Sequence, residues 1–166
     1  MTGTGVLKQR LPDLRSYISR AAGAKADLLF EDGALISYGR RSLRVLATPG
    51  HTDGCVSFLD SEFGAVFTGD ALLIGGCGRT DFQAGSADVL YDSVHTKLFT
   101  LPENTIVFPA HDYQGKMEST IGVEKATNPR LSKSKGEFLE IMAALKLDYP
   151  KQIDRALPAN MECGVF

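Results

Sequence analysis

The sequence predicts an α/β domain of the α+β kind, and three observations carry that expectation. Short apolar runs recur between glycine- and proline-bearing turns, as strands require. Two longer segments show helical periodicity behind a capping serine. Loops bearing histidine or aspartate follow directly on several of the short runs, which is where strand ends present polar groups. A chain of 166 residues suits one domain with a single core, over residues 1–166.

The elements follow in order. Residues 6–11 read as the end of a short helix stopped by Pro12-Asp13. Residues 14–19 alternate apolar and polar side chains, a strand pattern. Residues 34–38 and 42–47 are two further strands flanking a Gly-Arg-Arg turn. Residues 55–59 and 65–68 form a hairpin around the turn at 60–64. The glycine-rich stretch 75–85 reads as a loop. Residues 86–99 read as a helix with Ser86 as N-cap and Leu90, Val94 and Leu98 on one face. Residues 105–108 are a short buried strand running into His111. Near the C-terminus Ser134 and Glu137 have capping-box spacing ahead of Phe138, Ile141, Met142 and Leu145.

Composition narrows the function classes. The 18 basic and 20 acidic residues leave a net charge of -2, which offers no electrostatic hold on nucleic acid or an anionic membrane surface. The longest apolar runs are far too short to span a bilayer. Met1-Thr-Gly-Thr-Gly has neither a basic leader nor an apolar stretch, so no secretory signal is expected. Cys55, Cys77 and Cys163 are widely spaced and include no C-x-x-C pair, which argues for a reducing compartment and against a disulfide framework or zinc knuckle. Cys55, within an apolar run, is expected in the core.

The chemistry rests on few residues. His51 stands in T-P-G-H-T, Asp70 ends F-T-G-D, and His111 stands in F-P-A-H-D-Y. Three such groups at three neighbouring strand ends can converge on a point and hold a metal ion, whereas groups in mid-strand could not. His95, off the apolar stripe of its helix, is expected at the solvated surface. In the loop G-G-C-G-R-T-D-F (75–82), Arg79 could clamp a carboxylate with two parallel hydrogen bonds, or pair with other loop groups alongside Asp81. Arg130, in N-P-R, has the same two readings. Tyr113 either aims its hydroxyl at a metal or packs.

The runs T-P-G-H-T-x-G-C-V, F-T-G-D-A-L-L-I-x-G-C-G-R-T-D-F, P-A-H-D-Y, N-P-R and P-A-N-M-x-C-G together resemble the persulfide dioxygenases. These are the ethylmalonic encephalopathy protein branch of the metallo-β-lactamase superfamily, related to glyoxalase II. The resemblance covers essentially the whole chain. It implies an αββα sandwich with the active site at the edge of two sheets. It further implies one Fe(II) per chain, held by two histidines and an aspartate, and oxidation of glutathione persulfide by dioxygen to sulfite. Carried over by motif, His51 and Asp70 correspond to two of the iron ligands. His111 corresponds to the histidine that holds a second metal in binuclear relatives, and here lies near the iron. Tyr113 corresponds to a second-sphere residue. Arg79 and Arg130 correspond to positions supporting or binding near glutathione, and Cys163 to one near the substrate channel.

The chain also departs from the family pattern. The family's His-x-His-x-Asp-His segment, whose first histidine is the third iron ligand, precedes the T-G-T-G segment, where Met1 stands here. The expectation is therefore an N-terminally truncated domain that binds iron weakly, turns over poorly, and bares a sheet edge and part of an apolar face. Gly75 stands where relatives often carry arginine. Relatives of this branch are often mitochondrial, so the resemblance implies a mitochondrial place in sulfide metabolism and allows a homodimer. The chain as given carries no targeting peptide and is expected in the cytoplasm. Two other readings stand beside this one. One is a glyoxalase II-type hydroxyacylglutathione thioester hydrolase, in which two metals, zinc among the possible ones, activate a water. The other is a catalytically dead fragment that binds a thiol or a partner.

Overall fold

The computed structural model describes residues 2–164. The elements in chain order are α1 (Thr4–Arg10), β1 (Tyr17–Ser19), β2 (Leu28–Phe30), β3 (Leu35–Tyr38), β4 (Arg41–Ala47), β5 (Val56–Asp60) and β6 (Ala65–Gly69). There follow α2 (Ala87–Ser93), β7 (Ile106–Pro109), β8 (Ser119–Thr120), α3 (Ile121–Thr127), α4 (Lys135–Ala144) and α5 (Ile153–Met161). The described residues divide into two compact units, one of residues 32–145 and one of residues 2–31 with 146–164.

The smaller unit joins the two ends of the chain. The Gly5 N–H donates to the Cys163 carbonyl at 2.8 Å, and the Lys25 N–H donates to Met161 at 2.9 Å. The Thr2 N–H donates to Asn160 Oδ1 at 2.8 Å. Strands β1 and β2 pair in parallel. The Lys8 ammonium and the Ser16 donors hold the Asp27 carboxyl far below the usual carboxylate range.

The larger unit is built on a six-stranded sheet in the order β3-β4-β5-β6-β7-β8. All neighbours are antiparallel except β6 and β7, which are parallel. Val66 and Val107 are cross-strand partners on one face, both fully buried. With Leu90, Val94, Leu98, Ile121, Leu131, Phe138 and Met142 they form the core of this unit. Cross-strand partners share a sheet face, so Val45, Phe58, Phe67 and Phe108 make a row on the opposite face. There Phe67 remains 43% exposed while stacked on Phe108 at 5.5 Å.

Most expected elements are present, and the differences have local causes. Ser86 caps α2 by accepting from the Val89 N–H, and Leu90, Val94 and Leu98 are buried as the periodicity predicts. The helix does not stay α-helical to residue 99. Val94–Leu98 continues it as a π-turn, closed by the Phe99 N–H on the Val94 carbonyl. The capping box of Ser134 and Glu137 starts α4. The strand expected over 14–19 shortens to β1. β2 and β8 are too short to show periodicity, and α5 carries Pro158 in its interior, which masks a helical pattern.

Two single residues differ from expectation. His95 is not a solvated surface group but half-buried, stacked on Tyr91 at 3.9 Å with Nε2 3.0 Å from the Leu131 carbonyl. Cys55 is half-buried with its sulfur 3.1 Å from the Thr52 hydroxyl, and the buried thiol is Cys77. Among the described residues no helix is long and apolar enough to cross a membrane.

Candidate metal centre

Strand direction explains why three sequence-distant groups meet. β4 and β6 both run antiparallel to β5, so they run parallel to each other, and β7 runs parallel to β6. The C-terminal ends of β4, β6 and β7 therefore open at one end of the sheet. His51, Asp70 and His111 all follow within a few residues of those ends.

The turn that carries His51 is anchored on helix α2. The Gly50 carbonyl accepts from the Ser86 N–H at 2.8 Å, and the Ser93 hydroxyl donates to the Pro49 carbonyl at 2.8 Å. Behind the turn, the buried hydroxyls of Thr48 and Ser57 pair at 2.9 Å. Asp70 is fixed from two sides, because the Gly78 N–H donates to its carbonyl at 2.7 Å and the Ala110 N–H donates to that of Gly69 at 2.9 Å. Gly78 approaches the site so closely that a Cβ there would lie 2.9 Å from His51 Nδ1.

The three side chains meet at the Asp70 carboxylate. His111 Nδ1 lies 2.6 Å from Oδ1, and His51 Nε2 lies 3.5 Å from Oδ2. His51 Nδ1 lies 2.6 Å from the Arg79 carbonyl oxygen. A carbonyl only accepts, so Nδ1 carries the hydrogen and Nε2 is the nitrogen turned to Asp70. The side chains of His51 and Asp70 are 25% and 22% exposed, open to a small ligand yet held in place.

The other expected site residues fall into place less closely. The Arg79 guanidinium donates to both oxygens of Asp81, at 2.7 and 2.8 Å, and lies over the Phe82 ring at 4.5 Å. That guanidinium holds the Asp81 carboxyl below the usual carboxylate range. Arg130 Nη1 donates to the Cys77 carbonyl at 3.3 Å. Burial pushes the Cys77 thiol up, with Arg130 opposing it. Tyr113 lies parallel to the His111 ring at 6.2 Å and is 83% exposed, so it packs in no core. Cys163 belongs to the smaller unit, where its thiol donates to the Lys25 carbonyl at 2.9 Å. The Ser93 hydroxyl and the Arg79 carbonyl are not announced by the sequence, because a hydrogen bond to a main-chain carbonyl leaves no motif.

Residues 5–111 match the metallo-beta-lactamase superfamily. The chain belongs to that superfamily. Within it the chain matches ETHE1 proteins in sequence and in fold over 99% of its length. Mitochondrial persulfide dioxygenase ETHE1 of Homo sapiens is 55% identical over 165 residues, 99% of this chain and 65% of that protein. The crystal structure of ETHE1 from Myxococcus xanthus superposes with a TM-score of 0.94 at 46% identity, covering 99% of this chain and 72% of that one. Hydroxyacylglutathione hydrolase GloC of Haemophilus influenzae is 37% identical over 102 residues, 61% of this chain and 46% of that protein. The chain thus spans 65% of the length of the mammalian relatives it matches. Its α+β content and mixed sheet agree with the superfamily fold.

Metal binding is the property that gives this superfamily its name, and the donor spacing can be set against it. Two atoms bonded at about 2.1 Å to one ion, at tetrahedral or octahedral angles, lie about 3.0–3.4 Å apart. His51 Nε2 and Asp70 Oδ2, at 3.5 Å, have close to that spacing. His111 Nδ1, 2.6 Å from Oδ1, is at hydrogen-bond distance instead. Among the described residues, no group of three His, Cys, Asp or Glu side chains gathers as a metal site. The residues present fit a metal as a pair of ligands and a neighbour.

Proposed function

We propose that this chain carries part of the centre of an iron-dependent persulfide dioxygenase, an oxidoreductase that converts glutathione persulfide, dioxygen and water to sulfite and glutathione. In this reading His51 through Nε2 and Asp70 through Oδ2 hold Fe(II). Bound iron supplies a site where the persulfide sulfur and dioxygen can exchange electrons. The remaining roles belong to the chain. His111 donates to the second oxygen of Asp70 and keeps the carboxylate turned toward the metal. The Arg79 carbonyl keeps the His51 hydrogen on Nδ1 and so leaves Nε2 able to ligate. Tyr113, exposed beside His111, stands where a substrate would approach, and Arg130 stiffens the loop at Cys77.

The observation that carries the metal half of this reading is the 3.5 Å spacing of His51 Nε2 and Asp70 Oδ2 at parallel strand ends. Likeness to persulfide dioxygenases along the whole chain supports oxidation over thioester hydrolysis, whose relative matches a shorter stretch. The mitochondrial naming of the mammalian relatives supports a place in mitochondrial sulfide metabolism. The test is oxygen uptake and sulfite release from glutathione persulfide with excess Fe(II), set against hydrolysis of lactoyl-glutathione with Zn(II). Oxygen uptake is expected, falling to background in Asp70→Asn. Faster thioester hydrolysis would make the protein a hydrolase, and glutathione binding without turnover would make it a binding protein.

A further inference from the structure

We propose that Asp81 is a positioning residue for His51, acting through the Arg79 residue that it clamps. The connection is short and continuous. The Asp81 carboxylate accepts from Arg79 Nε at 2.7 Å and from Nη2 at 2.8 Å, a bidentate pair that fixes the plane of the guanidinium. The same guanidinium lies over the Phe82 ring at 4.5 Å, so its tilt is fixed as well. Arg79 is thereby held at the far end of its side chain. At its main-chain end its carbonyl meets His51 Nδ1 at 2.6 Å.

The loop around this clamp is itself tightly folded. Gln83 and Ala84 lie in the left-handed region, with φ of 53° and 57°, and the Gly85 N–H closes back on the Phe82 carbonyl at 2.8 Å. Two successive non-glycine residues in that region persist only where surrounding contacts over-determine the backbone. On the other side, the Gly78 N–H ties the loop to the Asp70 carbonyl at 2.7 Å. The Arg79 carbonyl therefore stands between two anchors, one on Asp70 and one on Asp81. The choice of ring nitrogen in a ligating histidine is set by the hydrogen bond the other nitrogen makes. Asp81 acts on that bond through Arg79, and its charge also interacts with the His51 ring.

A clamped Arg79 is a strut rather than a hand held out to a substrate carboxylate, which separates the two readings its sequence context leaves open. The inference rests on the metal-centre reading only for its consequence, because the ring tautomer can be measured without metal. In the metal-free, 15N-labelled chain at about pH 8, long-range 15N–1H correlation is expected to show His51 as a single Nδ1–H tautomer. Asp81→Asn and Arg79→Lys, which lose the bidentate pair but keep similar size, should both give averaged tautomer shifts. Asp81→Glu should restore the pattern in part. Zn(II) affinity, read by chelator competition, should fall about tenfold or more in Asp81→Asn, with the melting temperature within about 2 °C of the parent. An unchanged His51 tautomer in both Asp81→Asn and Arg79→Lys overturns the inference. So does weakened glutathione binding with the ring unchanged, which would make Arg79 a substrate clamp. Failure of the parent chain to bind Zn(II) would overturn the metal reading and leave the tautomer result standing.

Discussion

A Cβ on Gly50 would lie 2.4 Å from both Cα and N of Leu90, in a residue whose φ is already +130°. Neither obstacle can relax cheaply, because the opposing atoms are backbone at the start of α2 and Leu90 is fully buried. The close approach is what lets the Gly50 carbonyl receive the Ser86 N–H and lets Ser93 reach Pro49. The helix and the His51 turn are thus packed as one piece, and His51 inherits its position from Leu90. Backbone strain of about 1–3 kcal/mol and overpacking of about 1–3 kcal/mol should act together in Gly50→Ala. The expected loss is about 3 kcal/mol, read as a lower urea midpoint at unchanged slope. Ser93→Ala removes a single hydrogen bond and should lose about 1 kcal/mol. Equal losses in the two variants would mean that the helix gives way and that the glycine is not the constraint.

At the scale of elements, the β5–β6 hairpin shows both what periodicity reveals and what it hides. The alternation around residues 60–64 announces the turn, and the strands lie within one residue of where they are predicted. The use of Asp60 is invisible in the sequence, because it depends on register across β3 and β4. The carboxylate accepts from the Tyr38 hydroxyl and from the Glu62 and Phe63 N–H groups, with Arg41 at 3.7 Å. These groups, Tyr38 first, hold the Asp60 carboxyl below its usual value. A carboxyl depressed on folding contributes stability above its unfolded pKa of about 3.9 and loses it as pH falls toward the folded value. Urea midpoints of the parent and Asp60→Asn should therefore differ by a constant gap at neutral pH, and the gap should narrow below about pH 4. A gap that ignores pH would mean that the charge on Asp60 contributes nothing. The same limit explains α3 and β8. Thr120 caps α3 by accepting from Val123, but a two-residue strand running into a seven-residue helix offers no period to read.

At the scale of the whole molecule, the candidate centre is a property of sheet topology. Its three members were legible because each stands in a local pattern, an apolar run followed by a turn and a polar group. Their mutual geometry was not legible, since it depends on β4, β6 and β7 running the same way and ending together. That geometry separates the two histidines. His51 stands at ligand spacing from Asp70, and His111 stands at hydrogen-bond spacing. Among the described residues this leaves two side chains for one ion, where non-haem iron sites use three. Residues 1–166 expressed by themselves should therefore hold iron loosely. After anaerobic loading with Fe(II) and a desalting column, the iron retained should fall well short of one per chain. His51→Ala should abolish what remains. His111→Ala should only weaken it, because a hydrogen bond to a ligand is worth about 10–100-fold in affinity while the ligand itself is indispensable. Stoichiometric iron retained through the column, or an equal loss in the two histidine variants, would assign His111 to the metal and require the carboxylate to turn.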